Sequence, residues 1–247
     1  IPARLRAAAD GARPAAADSA RLDGGRPFPD ADLNQDGLPD MVVASTSGSV
    51  TVFLGAGGGS FRDGVSLPNP SAQTVQILDV NSDKQLDLAV LTREGKLRLW
   101  TGDGSGAFSF LSETAINCGS TLSSAGDLDG DGRVDLVLGG KASPSMVVFR
   151  NRGDGTFEEL AANPLASFPT STALADLNGD GKLDAIAAEY SSGTTAVLLG
   201  RGDGTFEPRR PVTTGGSSRV ISVGDLNCDG RPDVAVSHLG GSTVAVL

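Results

Sequence analysis

Aromatic residues are scarce in this sequence. One Trp, one Tyr and nine Phe make up 4% of 247 residues, which leaves no repeated Trp or Tyr platform of the kind a multivalent sugar-binding protein wants. Two cysteines, Cys118 and Cys228, are too few for a disulfide framework. The single histidine, His238, follows a strand-like run and has no nucleophile signature such as G-x-S-x-G beside it. Catalysis built on a histidine pair is therefore not expected. No apolar run approaches the ~18 residues of a membrane span. No basic patch stands out among 20 Lys and Arg set against 30 Asp and Glu, so binding to nucleic acid phosphate is disfavoured. There is no initiator Met and no signal-peptide apolar core, as expected of a mature or excised chain.

What is abundant is glycine, with 34 residues, and aspartate at regular intervals. The stretch Asp176 to Asp184 reads DLNGDGKLD. Asp176, Asn178, Asp180 and Asp184 offer side-chain oxygens at positions 1, 3, 5 and 9, and Gly181 at position 6 permits a positive-φ turn. Hard oxygen donors at alternate positions around such a turn suit Ca²⁺, which takes six to eight of them at about 2.3–2.6 Å. The backbone carbonyl of Lys182 at position 7 is expected to face the ion, with its side chain out in water.

The same loop occurs four more times, as DLNQDGLPD from Asp32, DVNSDKQLD from Asp79, DLDGDGRVD from Asp127 and DLNCDGRPD from Asp225. The first aspartates are 47, 48, 49 and 49 residues apart, so the chain is a tandem array of one unit. The expected side-chain ligands are Asp32, Asn34, Asp36 and Asp40; Asp79, Asn81, Asp83 and Asp87; Asp127, Asp129, Asp131 and Asp135; and Asp225, Asn227, Asp229 and Asp233. Leu38, Gln85, Arg133 and Arg231 join Lys182 as carbonyl ligands, for up to five Ca²⁺. Sixteen of the 30 acidic residues are these aspartates, and five divalent ions would cancel the formal net charge of −10. Lys84 in place of the position-6 glycine marks the weakest site, and Asp129 in place of Asn the strongest, with four carboxylates.

An EF-hand needs a bidentate Glu at position 12 and flanking helices. Position 12 is instead Val43, Val90, Leu138, Ala187 or Val236, within the strand-like runs MVVAS, LAVLT, LVLGG, AIAAE and VAVSH. The first four loops are each followed, after that strand, by a third strand and a second turn: GAGGGSF from Gly55, GDGSGAF from Gly102, NRGDGTF from Asn151 and GRGDGTF from Gly200.

Loop, strand and turn together resemble the FG-GAP/VCBS repeat of integrin α-subunit propellers and of many secreted bacterial and fungal proteins. The resemblance implies an all-β propeller of four-stranded blades, one per repeat of about 48 residues, with each Ca²⁺ loop between the innermost strand and the next. A single domain over 1–247 is expected, with 1–12 as an extension. A closed ring of five blades is preferred, in which Arg13 to Ala20 pair with Thr243 to Leu247; a fragment of a seven-bladed ring is the alternative. Asp10 lies 22 residues before Asp32, the offset of Asp203 from Asp225, which keeps the N-terminus in phase with the repeat.

Several smaller features fit the repeat. Phe61, Phe108, Phe157 and Phe206 read as packing between blades. The tripeptides Arg152-Gly153-Asp154 and Arg201-Gly202-Asp203 spell an integrin-ligand signal, but they fall inside the repeated turn and read as part of it. Cys118 and Cys228 fall at opposite ends of inner strands in different blades, too far apart to bridge.

Function is read from the resemblance as that of a secreted or periplasmic, monomeric, non-catalytic binding or adhesion module with structural Ca²⁺. Its partner would be a protein or glycan on a loop face. A lectin, for which only Trp100 and Tyr190 could serve as platforms beyond phenylalanine, and an accessory domain of a polysaccharide-active enzyme are the alternatives.

Overall fold

The computed structural model describes residues 31–45, 48–68, 71–116, 118–140, 143–239 and 243–247, with the side chains of 118–123 excepted. Every strand pairing is antiparallel, and there is no helix among the described residues. The first sheet has the order β1–β2–β5, from β1 (Met41–Ser45), β2 (Ser49–Phe53) and β5 (Val65–Pro68); between the last two lies a hairpin of β3 (Gly55–Gly57) and β4 (Ser60–Phe61). The second sheet runs in chain order through β6 (Ala72–Leu78), β7 (Asp87–Thr92), β8 (Lys96–Gly102) and β9 (Phe108–Ala115). The third comprises β10 (Cys118–Gly126), β11 (Asp135–Gly140), β12 (Ser145–Asn151) and β13 (Phe157–Glu159), with β14 (Asn163–Pro164) also on β12. The fourth holds β15 (Pro169–Ala175), β16 (Asp184–Glu189), β17 (Thr194–Leu198) and β18 (Arg210–Thr213). The fifth holds β19 (Ser217–Gly224), β20 (Asp233–Leu239) and β21 (Val244–Val246).

The five acidic loops sit in equivalent places. Four join the first strand of a sheet to the second: β6 to β7, β10 to β11, β15 to β16 and β19 to β20. The loop from Asp32 is preceded by Ala31, which bridges Asp40 just before β1. The strand after each loop is the reason the sheets stack. In β11, Leu136 and Leu138 face a core shared with the second sheet, while Val137 between them faces a core shared with the fourth. In β16, Ala185 and Ala187 face the third sheet, and Ile186 and Ala188 face the fifth. Such a strand is apolar on both faces, which is why it reads as a continuous apolar run rather than an alternating one.

Four hydrophobic cores lie between successive sheets, and the sheets pack in chain order as blades of a propeller-type array. The outer strands are exposed: β9 is exposed throughout except at the half-buried Phe108 and Ser112. Its Phe110 meets Trp100 edge-on at 5.4 Å, and Trp100 itself is buried in the core between the first and second sheets. Exposed apolar side chains lie on the first sheet and its hairpin at one end, Val43, Val65 and Phe61, and on the last sheet at the other, Val220, Val244 and Val246. The expected pairing of Arg13 to Ala20 with the last strand lies outside the described residues. The strand at Val244–Val246 pairs with β20 as the third strand of its unit.

Candidate metal centre

Each loop is stitched by its own acidic side chains. Asp32 at position 1 accepts the N–H of Asp36 on Oδ1 (2.9 Å) and that of Gly37 on Oδ2 (2.8 Å). Asn34 Oδ1 also accepts the Asp36 N–H, and Asp36 Oδ1 accepts the N–H of Leu38. The pattern returns with Asp79, Asp127, Asp176 and Asp225 as the first residue. In the four loops with Asn at position 3, its amide also donates to the position-5 carboxylate: Asn34 to Asp36, Asn81 to Asp83, Asn178 to Asp180 and Asn227 to Asp229. Position 6 takes a positive φ in every loop, at Gly37, Lys84, Gly132, Gly181 and Gly230. Position 4 does so too, at Gln35, Ser82, Gly130, Gly179 and Cys228, which the sequence pattern did not announce.

The position-9 aspartate has a second job. Asp87 Oδ2 accepts the N–H of Val80 at position 2 (2.9 Å), and Oδ1 accepts the N–H of Gly102 at the end of β8 (2.8 Å). Asp40, Asp135 and Asp184 make the same pair of bonds, to Leu33 and Gly55, to Leu128 and Asn151, and to Leu177 and Gly200. In the last sheet Asp233 accepts the N–H of Leu226. This carboxylate ties the loop to the third strand of its own blade. Burial pushes Asp87 and Asp135 up to about 6 despite those backbone donors, with neighbouring loop aspartates adding to the rise. Asp184 is raised for the same first reason.

The third loop is where carboxylates converge. Ligating oxygens of Asp127, Asp129 and Asp135 all lie within 4.8 Å of one another, the one such group of three among the described residues. Two oxygens on opposite sides of a Ca²⁺ are separated by about twice 2.3–2.6 Å, so the spacing fits that ion. Burial, then the charge of Asp131, raises Asp129. A cation between these groups would offset both. The donor set and its spacing therefore fit Ca²⁺ here, with Asp127, Asp129 and Asp135 as the residues that would hold it. Asp131 is turned instead to Arg133, whose guanidinium it meets, and Arg150 stands 3.9 Å from Asp129. The extra carboxylate of this loop thus comes with two arginines, which the count of four carboxylates left out.

The Lys182 side chain is exposed, as expected, yet here and at two other loops the position-7 side chain also meets neighbouring groups. Arg133 Nε donates to the carbonyl of Asn151 (2.9 Å), the stem of Lys182 lies against Gly202, and Gln85 accepts from Gln35 of the preceding loop (2.5 Å). Long side chains cover the turn beside them because their stems gain from contact with it.

Other candidates sort cleanly. Phe206 is 4% exposed in the core between the third and fourth sheets, and Phe108 and Phe157 pack on the two preceding cores. Phe61 departs from the expectation at 44% exposed, because the first sheet has no preceding sheet among the described residues to receive it. Asp154 and Asp203 each accept the N–H and hydroxyl of the threonine two residues on, so both tripeptides serve the turn. Trp100 is buried and offers no platform, whereas Tyr190 and Phe168 are exposed. Cys228 is a free, exposed thiol, and the Cys118 side chain lies outside the described residues. His238 sits against Thr243, with Nδ1 near its carbonyl and hydroxyl oxygens. No helix among the described residues is long and apolar enough to cross a membrane.

A family model described as an FG-GAP-like repeat matches residues 32–90, 79–138, 127–187 and 176–236. No functionally curated protein matches the sequence. Among solved structures, BBS1N in complex with ARL6DN is similar at a TM-score of 0.58 and 11% identity, over 83% of this chain and 59% of that one. A protein from Lactobacillus plantarum is similar at a TM-score of 0.58 and 20% identity, over 84% of this chain and 63% of that one. The V. cholerae biofilm matrix protein Bap1 aligns at a TM-score of 0.49 and 17% identity, over 88% of this chain and 36% of that one. The chain spans less than two thirds of the length of each.

Proposed function

This chain belongs to the FG-GAP-like repeat family, and from that membership we propose that it is a calcium-binding, non-catalytic recognition module that acts outside the cytosol. The observation that carries the calcium reading is the convergence of Asp127, Asp129 and Asp135 in one of five loops of the same pattern. A bound ion would draw together carboxylates that otherwise repel and would hold the turn rigid. The residues named do the holding: positions 1, 3, 5 and 9 by side-chain oxygens and position 7 by its carbonyl. The position-9 carboxylate keeps its bonds to the backbone and passes the loop's rigidity to the third strand.

A rigid array with many loop ends suits recognition of a protein partner. The structure similar to this one that contains BBS1N was solved in complex with another protein, which supports that reading at the level of fold. Burial of Trp100 removes one of the two platforms a lectin would use, so a glycan partner ranks second. Calorimetric titration with Ca²⁺ tests the first part. Sites in the range of ~10⁻⁴–10⁻³ M are expected, as in extracellular modules; nanomolar sites throughout would identify an intracellular buffer instead, and no heat at any concentration would remove calcium from the account. A glycan array on the Ca²⁺-loaded protein is expected to be blank, and a defined oligosaccharide hit would promote the lectin reading.

A further inference from the structure

Asn151 is fully buried at the end of β12, and each of its polar atoms is engaged. Its main-chain N–H donates to Asp135 Oδ1, the position-9 carboxylate of the third loop (2.8 Å), and its carbonyl accepts from Arg133 Nε of that loop. Its side-chain amide donates to the Val134 carbonyl (3.2 Å) and, across the junction, to the Asp79 carbonyl (3.0 Å). Its amide oxygen accepts the N–H of Gly153. Asp79 is the position-1 residue of the second loop. Beside this bond, Gly155 donates its N–H to the Val80 carbonyl (2.9 Å), so two successive carbonyls of the second loop are held by the third blade.

The first, second and fourth blades lack this arrangement. At the next junction Gly204 donates to the Leu128 carbonyl, the counterpart of the bond to Val80. There, however, Gly200 stands in the place of Asn151 and has no side chain to reach Asp127. Gly55 and Gly102 occupy the same place in the first and second blades. A Cβ at Gly102 or Gly200 would run into the carbonyl oxygen of Leu86 or Leu183. Of the first four blades, only the third has put a side chain into this gap, and that side chain spans two loops.

We propose that Asn151 is a positioning residue shared by the second and third loops, through which their filling by Ca²⁺ is coupled. The inference rests on the calcium reading above. Ordering the second loop fixes the Asp79 carbonyl, which fixes the Asn151 amide, whose main chain holds Asp135. A loop whose neighbour is already ordered has less conformational freedom to lose when it binds. The second loop, with Lys84 in its turn, thereby gains support from its neighbour and returns it, since coupling is reciprocal.

The test follows loop glycine amides by ¹⁵N–¹H NMR during Ca²⁺ titration of the full chain, with Gly132 reporting the third loop and Gly181 and Gly230 the fourth and fifth. Asp83→Ala disables the second loop without touching the Asp79 carbonyl. It is expected to weaken binding at Gly132 by about fivefold or more, within the usual range of coupling between sites, and to leave Gly230 unchanged. Asn151→Gly, which installs the residue the other blades use, is expected to abolish the effect of Asp83→Ala on Gly132. A merely structural asparagine would lower the melting temperature without changing that dependence. Asn151→Ala, which keeps the Cβ, serves if the glycine variant fails to fold. If Gly132, Gly181 and Gly230 respond to Ca²⁺ but Asp83→Ala leaves Gly132 unmoved, or if its effect survives in the Asn151 variants, the proposal is wrong while the calcium reading stands. If no glycine responds, the calcium reading itself has failed.

Discussion

Lys84 holds a backbone conformation that its counterparts assign to glycine, with φ at 68° where Gly37, Gly132, Gly181 and Gly230 lie at 82–85°. A side chain in that region costs roughly 1–2 kcal/mol, partly offset by the greater freedom of an unfolded glycine. Lys84→Gly is therefore expected to stabilise the protein by about 1 kcal/mol, a rise of about 2–4 °C for a chain of this size. A fall in melting temperature would mean that the lysine has a compensating contact. The third loop raises the opposite question, because Arg133 occupies a carboxylate that a cation would want. Arg133→Gln is expected to tighten Ca²⁺ at Gly132 by up to about fivefold, the scale of a surface ion pair. Unchanged or weaker binding would show that the guanidinium is no competitor. The loops themselves were legible in the sequence because each ligand position is specified by its own residue. The two arginines were not, since Arg150 comes from another strand and nothing in the local pattern ties it to Asp129.

Among the elements, β16 ends on a latch that no other sheet shares among the described residues. Glu189 is fully buried and takes Arg209 by two bonds, Nε to Oε1 at 2.8 Å and a terminal nitrogen to Oε2 at 2.7 Å. The Thr194 and Ser192 hydroxyls and the Ala166 N–H also donate to it. The matching residues elsewhere are Ser45, Thr92, Gly140 and His238, so the latch serves the fourth blade alone. Burial opposes the charge on Glu189, but Arg209 and the other donors hold it below the usual glutamate range. A lowered folded-state value means that the stabilisation is present above the unfolded pKa and is lost as pH falls through the folded one. Arg209→Ala leaves a buried carboxylate without its partner and is expected to cost about 3–5 kcal/mol near neutral pH, with the deficit shrinking in acid. Arg210→Ala breaks only the exposed pair with Glu207 and is expected to cost no more than about 1 kcal/mol. Urea midpoints for the two variants give the comparison, and equal costs would refute the latch. A run such as AIAAE announces a strand, but nothing in it tells that its glutamate will be met by an arginine just before the outer strand.

At the scale of the molecule, the repeat was legible because five copies stay in register, and the strand after each loop was legible because it is apolar on both faces. What the sequence could not display is how one blade leans on the next. The carbonyls held by Gly155 and Gly204 and the reach of Asn151 join residues that are distant in the chain, while the position-9 aspartate staples each loop within its own blade. Because these bonds anchor the loops to the sheets and to one another, the state of the loops should govern the stability of the whole array. The most direct test is a thermal melt of the intact chain with saturating Ca²⁺ and with a chelator. The account predicts a melting temperature that falls sharply on chelation, returns with added Ca²⁺ by mass action and returns poorly with Mg²⁺, which demands tighter octahedral geometry. Superimposable melting curves with and without the chelator would contradict it.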